Sequence, residues 1–243
     1  MMTHGTLRYG DATVPYQVNP DPKRTSRIAI HVEPDGTVVV EAPLGQSDDV
    51  LRKAVQRRAR WIITHVNEAF DRYKHVSTKQ YVSGEEVLYL GRRYMLRVEE
   101  QANGKPSVKL KGNKLIVATN NADANMVKPI VRAWYRTKAR DYFARLIDEK
   151  SRLLPWIKKS PPFRQQEMKR QWGSCSPNGS ILLNPHLIKA PRPCIEYVVL
   201  HELAHLKHHD HSPEFFRLID NHLPRWRQSK GILDNMVEVL HME

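Results

Sequence analysis

The sequence reads as an α+β fold, on three observations. Apolar and polar side chains alternate at strand period through most of the first 120 residues. From residue 121 the apolar spacing lengthens to that of helices. One short cluster of strand-like segments then interrupts the helical half. The expected organisation is a β-rich accessory region over 1–120, with one basic helix near 47–75, followed by a second domain over 121–243. No internal repeat is apparent.

In chain order, "RIAIHV" (27–32) and "TVVVEAP" (37–43) flank "EPDG", whose Pro34, Asp35 and Gly36 supply turn chemistry, so these strands form a hairpin. Ser47 is a candidate N-cap. Asp48 and Asp49 suit the positive end of a helix dipole. Leu51, Val55, Ala59, Ile62 and Val66 make the buried stripe of that helix. Arg52, Lys53, Arg57, Arg58 and Arg60 occupy its other faces. Residues 81–98 and 107–118 return to strand pattern, each with a glycine-centred turn. A helix is expected from about Asp123 to Leu154, with Pro129 near its start or at a kink.

"PWIKKSPP" (155–162) has linker composition. "FRQQEMKR", "QWGSCSPNG" and "SILLNPHLI" read as strands, the last two joined through Pro177, Asn178 and Gly179. A buried helix follows from Pro193, and another starts at Ser212.

Composition narrows the function classes. No apolar run approaches the roughly 20 residues that span a bilayer. "MMTHGTLRYG" has no apolar h-region, so the expected compartment is the cytoplasm. Two cysteines, Cys175 and Cys194, make no disulfide framework. Lys and Arg number 39 against 26 Asp and Glu, a formal +13 that suits nucleic acid or nucleotides as partners. Solubility explains the same number equally well.

"HELAHLKHHDH" (201–211) holds five of the twelve histidines. The preceding "PCIEYVVL" is apolar nearly all round, as in a buried helix, and a buried helix carries two histidines and a glutamate only if something satisfies them. His201 and His205 project from one face on successive turns and can share one Zn2+. Glu202 lies about a hundred degrees round the helix, placed to serve as general acid/base for metal-activated water.

A third ligand is required, and the residues leave its identity open. His211 stands first, because Asp210, Ser212 and Pro213 signal a break that can fold it back over the helix. Glu214 is second. His208 is third, since on a straight helix it stands about 10 Å beyond His201. His209 points elsewhere.

"QWGSCSPNGSILLNPHLI", "YVVLHELAHL", "HSPEFF" and "PRWRQSKGIL" together resemble the YgjP-like metal-dependent hydrolases, relatives of the SprT-like and other small zincin metallopeptidases. "DGTVVVEAPLG" and "RARWIITHV" extend the likeness to the N-terminal part. The resemblance implies a zincin-like core, with an active-site helix beside a small sheet, in the second domain. It implies one Zn2+ per chain, held by His201, His205 and His211, with Glu202 catalytic. It also implies that the "SILLN" strand borders the cleft. One departure is Gln171, where many relatives have arginine before the tryptophan; Arg170 is the candidate substitute.

Cys175 has no visible base to make it a nucleophile. Asn184 and His186 are candidates for touching substrate or for capping a turn. Three functions remain open: a zinc metallopeptidase, a metal-dependent nucleotide phosphohydrolase, and a non-enzymatic nucleic-acid binder with a structural metal. The first is favoured. The second lacks a Gly-rich phosphate loop. The third leaves the glutamate unexplained. A peptidase brought to nucleic acid by Arg57 and Arg58 combines the first and last.

Overall fold

The computed structural model describes residues 3–22, 24–32, 36–73, 79–168 and 171–236. They fall into two compact units, Met1–Ser77 and Thr78–Glu243. The division therefore lies well before residue 120. The strands between these points share a core with the later helices: Val87, Leu96, Leu115 and Val117 pack in one cluster with Val127, Val131 and Tyr135.

In the first unit, β1 (Thr3–Tyr9), β2 (Ala12–Pro20), β3 (Ala29–Val32) and β4 (Val38–Ala42) form a sheet of order β1-β2-β4-β3. The expected 27–43 pairing is present as the antiparallel β3–β4 ladder. Pro34 and Asp35 of its turn lie outside the described residues. The basic helix is two helices, α1 (Asp48–Arg57) and α2 (Ala59–Tyr73), separated at Arg58. Redirecting the chain there lets Leu51 and Val55 of one and Ala59, Ile62 and Val66 of the other reach the same core. Ser47 occupies the N-cap but makes no side-chain capping bond.

The second unit opens with β5 (Glu86–Tyr89), β6 (Arg92–Glu100), β7 (Ser107–Lys111) and β8 (Lys114–Thr119), in the order β5-β6-β8-β7. This topology repeats the first sheet strand for strand: two antiparallel hairpins joined by a parallel central pair. Buried positions match as well, Leu7, Tyr16, Val38 and Val40 in one sheet corresponding to Val87, Leu96, Leu115 and Val117 in the other. The chain thus contains a structural repeat. It escapes sequence inspection because only the inward apolar alternation is shared, and many side chains satisfy that.

Against the second sheet lies α3 (Ala124–Leu153), capped by Asp123, whose carboxylate accepts from the Asn125 amide at 2.8 Å. It runs through Pro129. Residues 155–162, for all their linker composition, are seated on the core: Trp156 and Ile157 pack there, and the Trp156 indole donates to the Leu203 carbonyl.

β9 (Phe163–Gln165), β10 (Gly173–Cys175) and β11 (Ile181–Leu183) make the small sheet, with β10 at an edge. Beyond β11 the expected strand gives way to a 3-10 turn, Pro185–Lys189, which Asn184 caps by accepting from the His186 amide. Asn184 is fully buried and also donates to the carbonyls of Met168 and Gln171. Of the two roles open to it, turn capping is the one its bonds fill. Then follow α4 (Arg192–Ala204), α5 (Pro213–His222) and α6 (Trp226–Asp234). Among the described residues, no helix is long and apolar enough to cross a membrane.

Candidate metal centre

Helix α4 is buried on nearly every side, with Ile195, Val199, Leu203 and Ala204 inaccessible to solvent. It ends at Ala204, earlier than its sequence pattern suggests. His205 is its C-cap, and the amides of Leu206, Lys207 and His208 close tight turns back onto Leu203 and Ala204. The early stop takes His208 off the helix. Its carbonyl then accepts a hydrogen bond from His205 Nδ1 at 3.0 Å. That bond fixes the His205 tautomer and leaves its Nε2 lone pair available to a cation.

The chain returns through Ser212, whose hydroxyl accepts from the Phe215 amide and starts α5. This reversal brings His211 over α4. Its Nε2 stands 3.1 Å from Nε2 of His201. The rings of His201, His205 and His211 form a nearly equilateral triangle, with centroids 4.9, 5.0 and 4.9 Å apart. One donor atom from each lies within 4.8 Å of the others. Phe215, fully buried, touches all three rings at 4.6–4.9 Å and forms their floor. From sequence alone Phe215 is one more apolar residue of the helix that starts at Ser212. Its place in the first turn of α5, just after the reversal that carries His211, was the available signal.

Burial and the neighbouring histidines push His201 down to about 3, and burial likewise lowers His205. Both rings are therefore neutral near pH 7, as a metal ligand must be. His201 Nδ1 is buried and meets no hydrogen-bond partner among the described residues, so packing on Phe215 and Tyr197 orients this ring. Three neutral imidazoles converging on one point, with a fourth side open to a cleft, fit a divalent transition-metal ion.

Glu202 lines the same cleft, together with Gln171, Gly173, Ser174, Cys175, Pro177 and His209. The cleft encloses about 420 Å³. Burial raises the Glu202 carboxyl to about 8, and it accepts no hydrogen bond among the described residues. Gly173 makes room for it. A Cβ there would stand 2.6 Å from Glu202 Oε1 and 2.8 Å from its Cγ, distances real side chains do not tolerate. Sequence reading did not single out this glycine.

The other candidates fall elsewhere. Glu214 is exposed and paired with Arg217. His208 contributes its carbonyl rather than its ring. Burial and the neighbouring Glu202 both raise the Cys175 thiol, which pairs with no base among the described residues and leans toward the Ser176 carbonyl at 3.7 Å. Arg170 lies outside the described residues.

A buried His-Glu-x-x-His helix end, a third histidine folded over it and a small sheet at the rim make up the core of a metal-dependent hydrolase. The family model described as YgjP-like, metallopeptidase domain, matches residues 26–236, and the chain belongs to the YgjP-like metallopeptidase family. Among solved structures, the metallopeptidase zymogen abylysin of Pyrococcus abyssi is similar at 25% identity, over 41% of this chain and 95% of that one, with a TM-score of 0.35. Comparison with curated proteins finds no match.

Proposed function

We propose that this chain is a zinc peptidase in which His201, His205 and His211 hold one Zn2+ and Glu202 is the general acid/base. The observation that carries the proposal is the convergence of three ring nitrogens within 4.8 Å beside a buried carboxylate that accepts no hydrogen bond among the described residues. Zinc is the ion that three imidazoles with an open fourth position most commonly take. When bound, it supplies Lewis acidity, making water nucleophilic near neutral pH and polarising the scissile carbonyl.

Glu202 does the proton work. Its low-dielectric setting makes it a stronger base than a solvated carboxylate. It takes a proton from the attacking water and delivers it to the departing amide nitrogen. The clearance at Gly173 keeps the carboxylate facing the cleft. Strand β10 is the edge of its sheet and lines the cleft through Gly173, Ser174 and Cys175, so its free backbone groups suit an extended peptide adding as a further strand.

A peptide fits this cleft better than a nucleoside triphosphate. None of the described residues lining it is lysine or arginine, and a polyphosphate would require such partners. The discriminating experiment incubates zinc-loaded protein and its Glu202→Gln variant with mixed unfolded peptides and nucleoside triphosphates, reading products by mass spectrometry. Peptide cleavage by the unmodified protein alone is the expected result. Nucleotide products without peptide products would overturn the reading.

A further inference from the structure

Away from the cleft, aromatic and cationic side chains of the second unit converge on one strip. Trp134, Lys138, Tyr142 and Arg145 are spaced four, four and three residues apart on α3 and so share a helix face, about 16 Å long at helical rise. The Tyr89 ring of β5 meets Trp134 at 5.0 Å, and Arg145 lies 5.4 Å over Tyr142. Lys138 stands 6.0 Å over Trp134.

The β5–β6 turn is fastened to the segment leading into α4, Leu90 and Gly91 donating to the carbonyls of Ile188 and Lys189. Gly91 is required at this approach, because its φ is +77° and a Cβ would stand 2.8 Å from Pro191 Cα. The fastening brings exposed Arg192 beside the tyrosines. Burial raises the Tyr89 and Tyr142 phenols, while Arg192 and Arg145 oppose that rise at both.

The rings are half-buried, seated on the core with one side accessible. Lys138, Arg145 and Arg192 are exposed and form no ion pair among the described residues. Of the acidic neighbours, Glu196 is engaged by Lys150, and Glu149 stands beside Tyr142. Most of the chain's charge surplus lies in the same unit: residues 78–243 hold 28 Lys and Arg against 17 Asp and Glu, residues 1–77 only 11 against 9.

We propose that this strip binds single-stranded nucleic acid, with bases stacking on Trp134, Tyr142 and Tyr89 and phosphates meeting Lys138, Arg145 and Arg192. Rings alternating with exposed cations at nucleotide spacing match a flexible strand, whose bases are free to stack. A duplex keeps its bases stacked on one another. An acidic peptide would satisfy the cations and leave the rings idle. This placement differs from the Arg57 and Arg58 surface that the sequence favoured.

The test is fluorescence anisotropy of the full-length chain with a fluorescein-labelled 20-mer of oligothymidylate. With three phosphates neutralised, affinity should fall roughly twentyfold between 50 and 200 mM salt. Arg145→Glu with Arg192→Glu, both at exposed positions, should weaken binding at least about tenfold and flatten that dependence. Tyr142→Leu should weaken it at least about fivefold with the salt dependence unchanged. Arg57→Ala with Arg58→Ala should leave it intact. The proposal is overturned by absence of binding, by indifference to the strip variants, by equal affinity for duplex, or by equally effective displacement with polyglutamate.

Discussion

Nε2 of His201 and Nε2 of His211 stand 3.1 Å apart, although one residue belongs to the body of α4 and the other to the connection before α5. Two ring nitrogens at that separation can share one proton or face one cation. The third ring, His205, has its Nδ1 committed to the His208 carbonyl and turns Nε2 the same way. The helix stop at Ala204 makes this closure possible, because a straight continuation would carry the chain away from His201.

This arrangement predicts the third ligand. His211→Ala should weaken zinc binding by more than about a hundredfold, since loss of even an outer partner of a ligand costs ten- to a hundredfold. Glu214→Ala, which breaks only the Arg217 pair, should leave zinc content unchanged. Metal analysis after dialysis against a buffered zinc solution decides between them. The reverse pattern would transfer the role to the carboxylate.

Glu202→Gln separates metal binding from chemistry. The amide keeps the shape of the side chain and removes its basicity, so zinc content should hold while peptide turnover falls by about 10²–10⁴. Single-turnover cleavage at matched metal occupancy is the measurement. Substantial residual turnover would place the proton transfer elsewhere.

Gly173→Ala tests how the carboxylate is held. The glycine backbone has no positive φ, so alanine fits the strand, and the conflict lies entirely with Glu202. Displacing the carboxylate by about 1 Å should lower turnover by roughly a hundredfold, with zinc content retained. Unchanged turnover would mean that Glu202 has room to yield and that the contact does not position it.

The candidate metal-site residues were legible because their chemistry conflicts with their surroundings. Two histidines and a glutamate on an otherwise apolar helix demand a reason, and spacing supplies one. The proposed third ligand was legible only as a ranking, because its approach to the other two rings depends on a turn whose geometry no periodicity encodes. Gly173 was not legible at all: its importance comes from a side chain 29 positions away reaching its Cα. The same holds for Phe215, whose apolar character announces burial but not the three rings above it. In the first half, strand period revealed β3 to β8 but β1 and β2 were not singled out, and the parallel pairings of β2 with β4 and of β6 with β8 are long-range facts. The helix break at Arg58 was hidden because the apolar stripe continues across it.

Glu167 links the segment after β9 to α3, and its pH response follows from that link. Its carboxylate receives Arg132 at 2.8 and 2.9 Å and Arg136 at 2.7 Å. Burial alone would raise the carboxyl, but the two guanidinium groups outweigh it and hold the folded value below 4.5. An acid whose pKa is lowered on folding contributes stability above its unfolded pKa and loses it as pH falls through the folded value. Wild-type protein should therefore melt above Glu167→Gln at pH 6–7, and the gap should close as pH drops below about 4. The difference is modest, because the Glu167 side chain is 37% exposed and water screens the pair. Thermal melts of both proteins across this range, in a metal-free buffer so that the histidine cluster contributes equally to both, supply the comparison. A gap that persists unchanged to pH 3 would show that Glu167 acts through packing rather than charge.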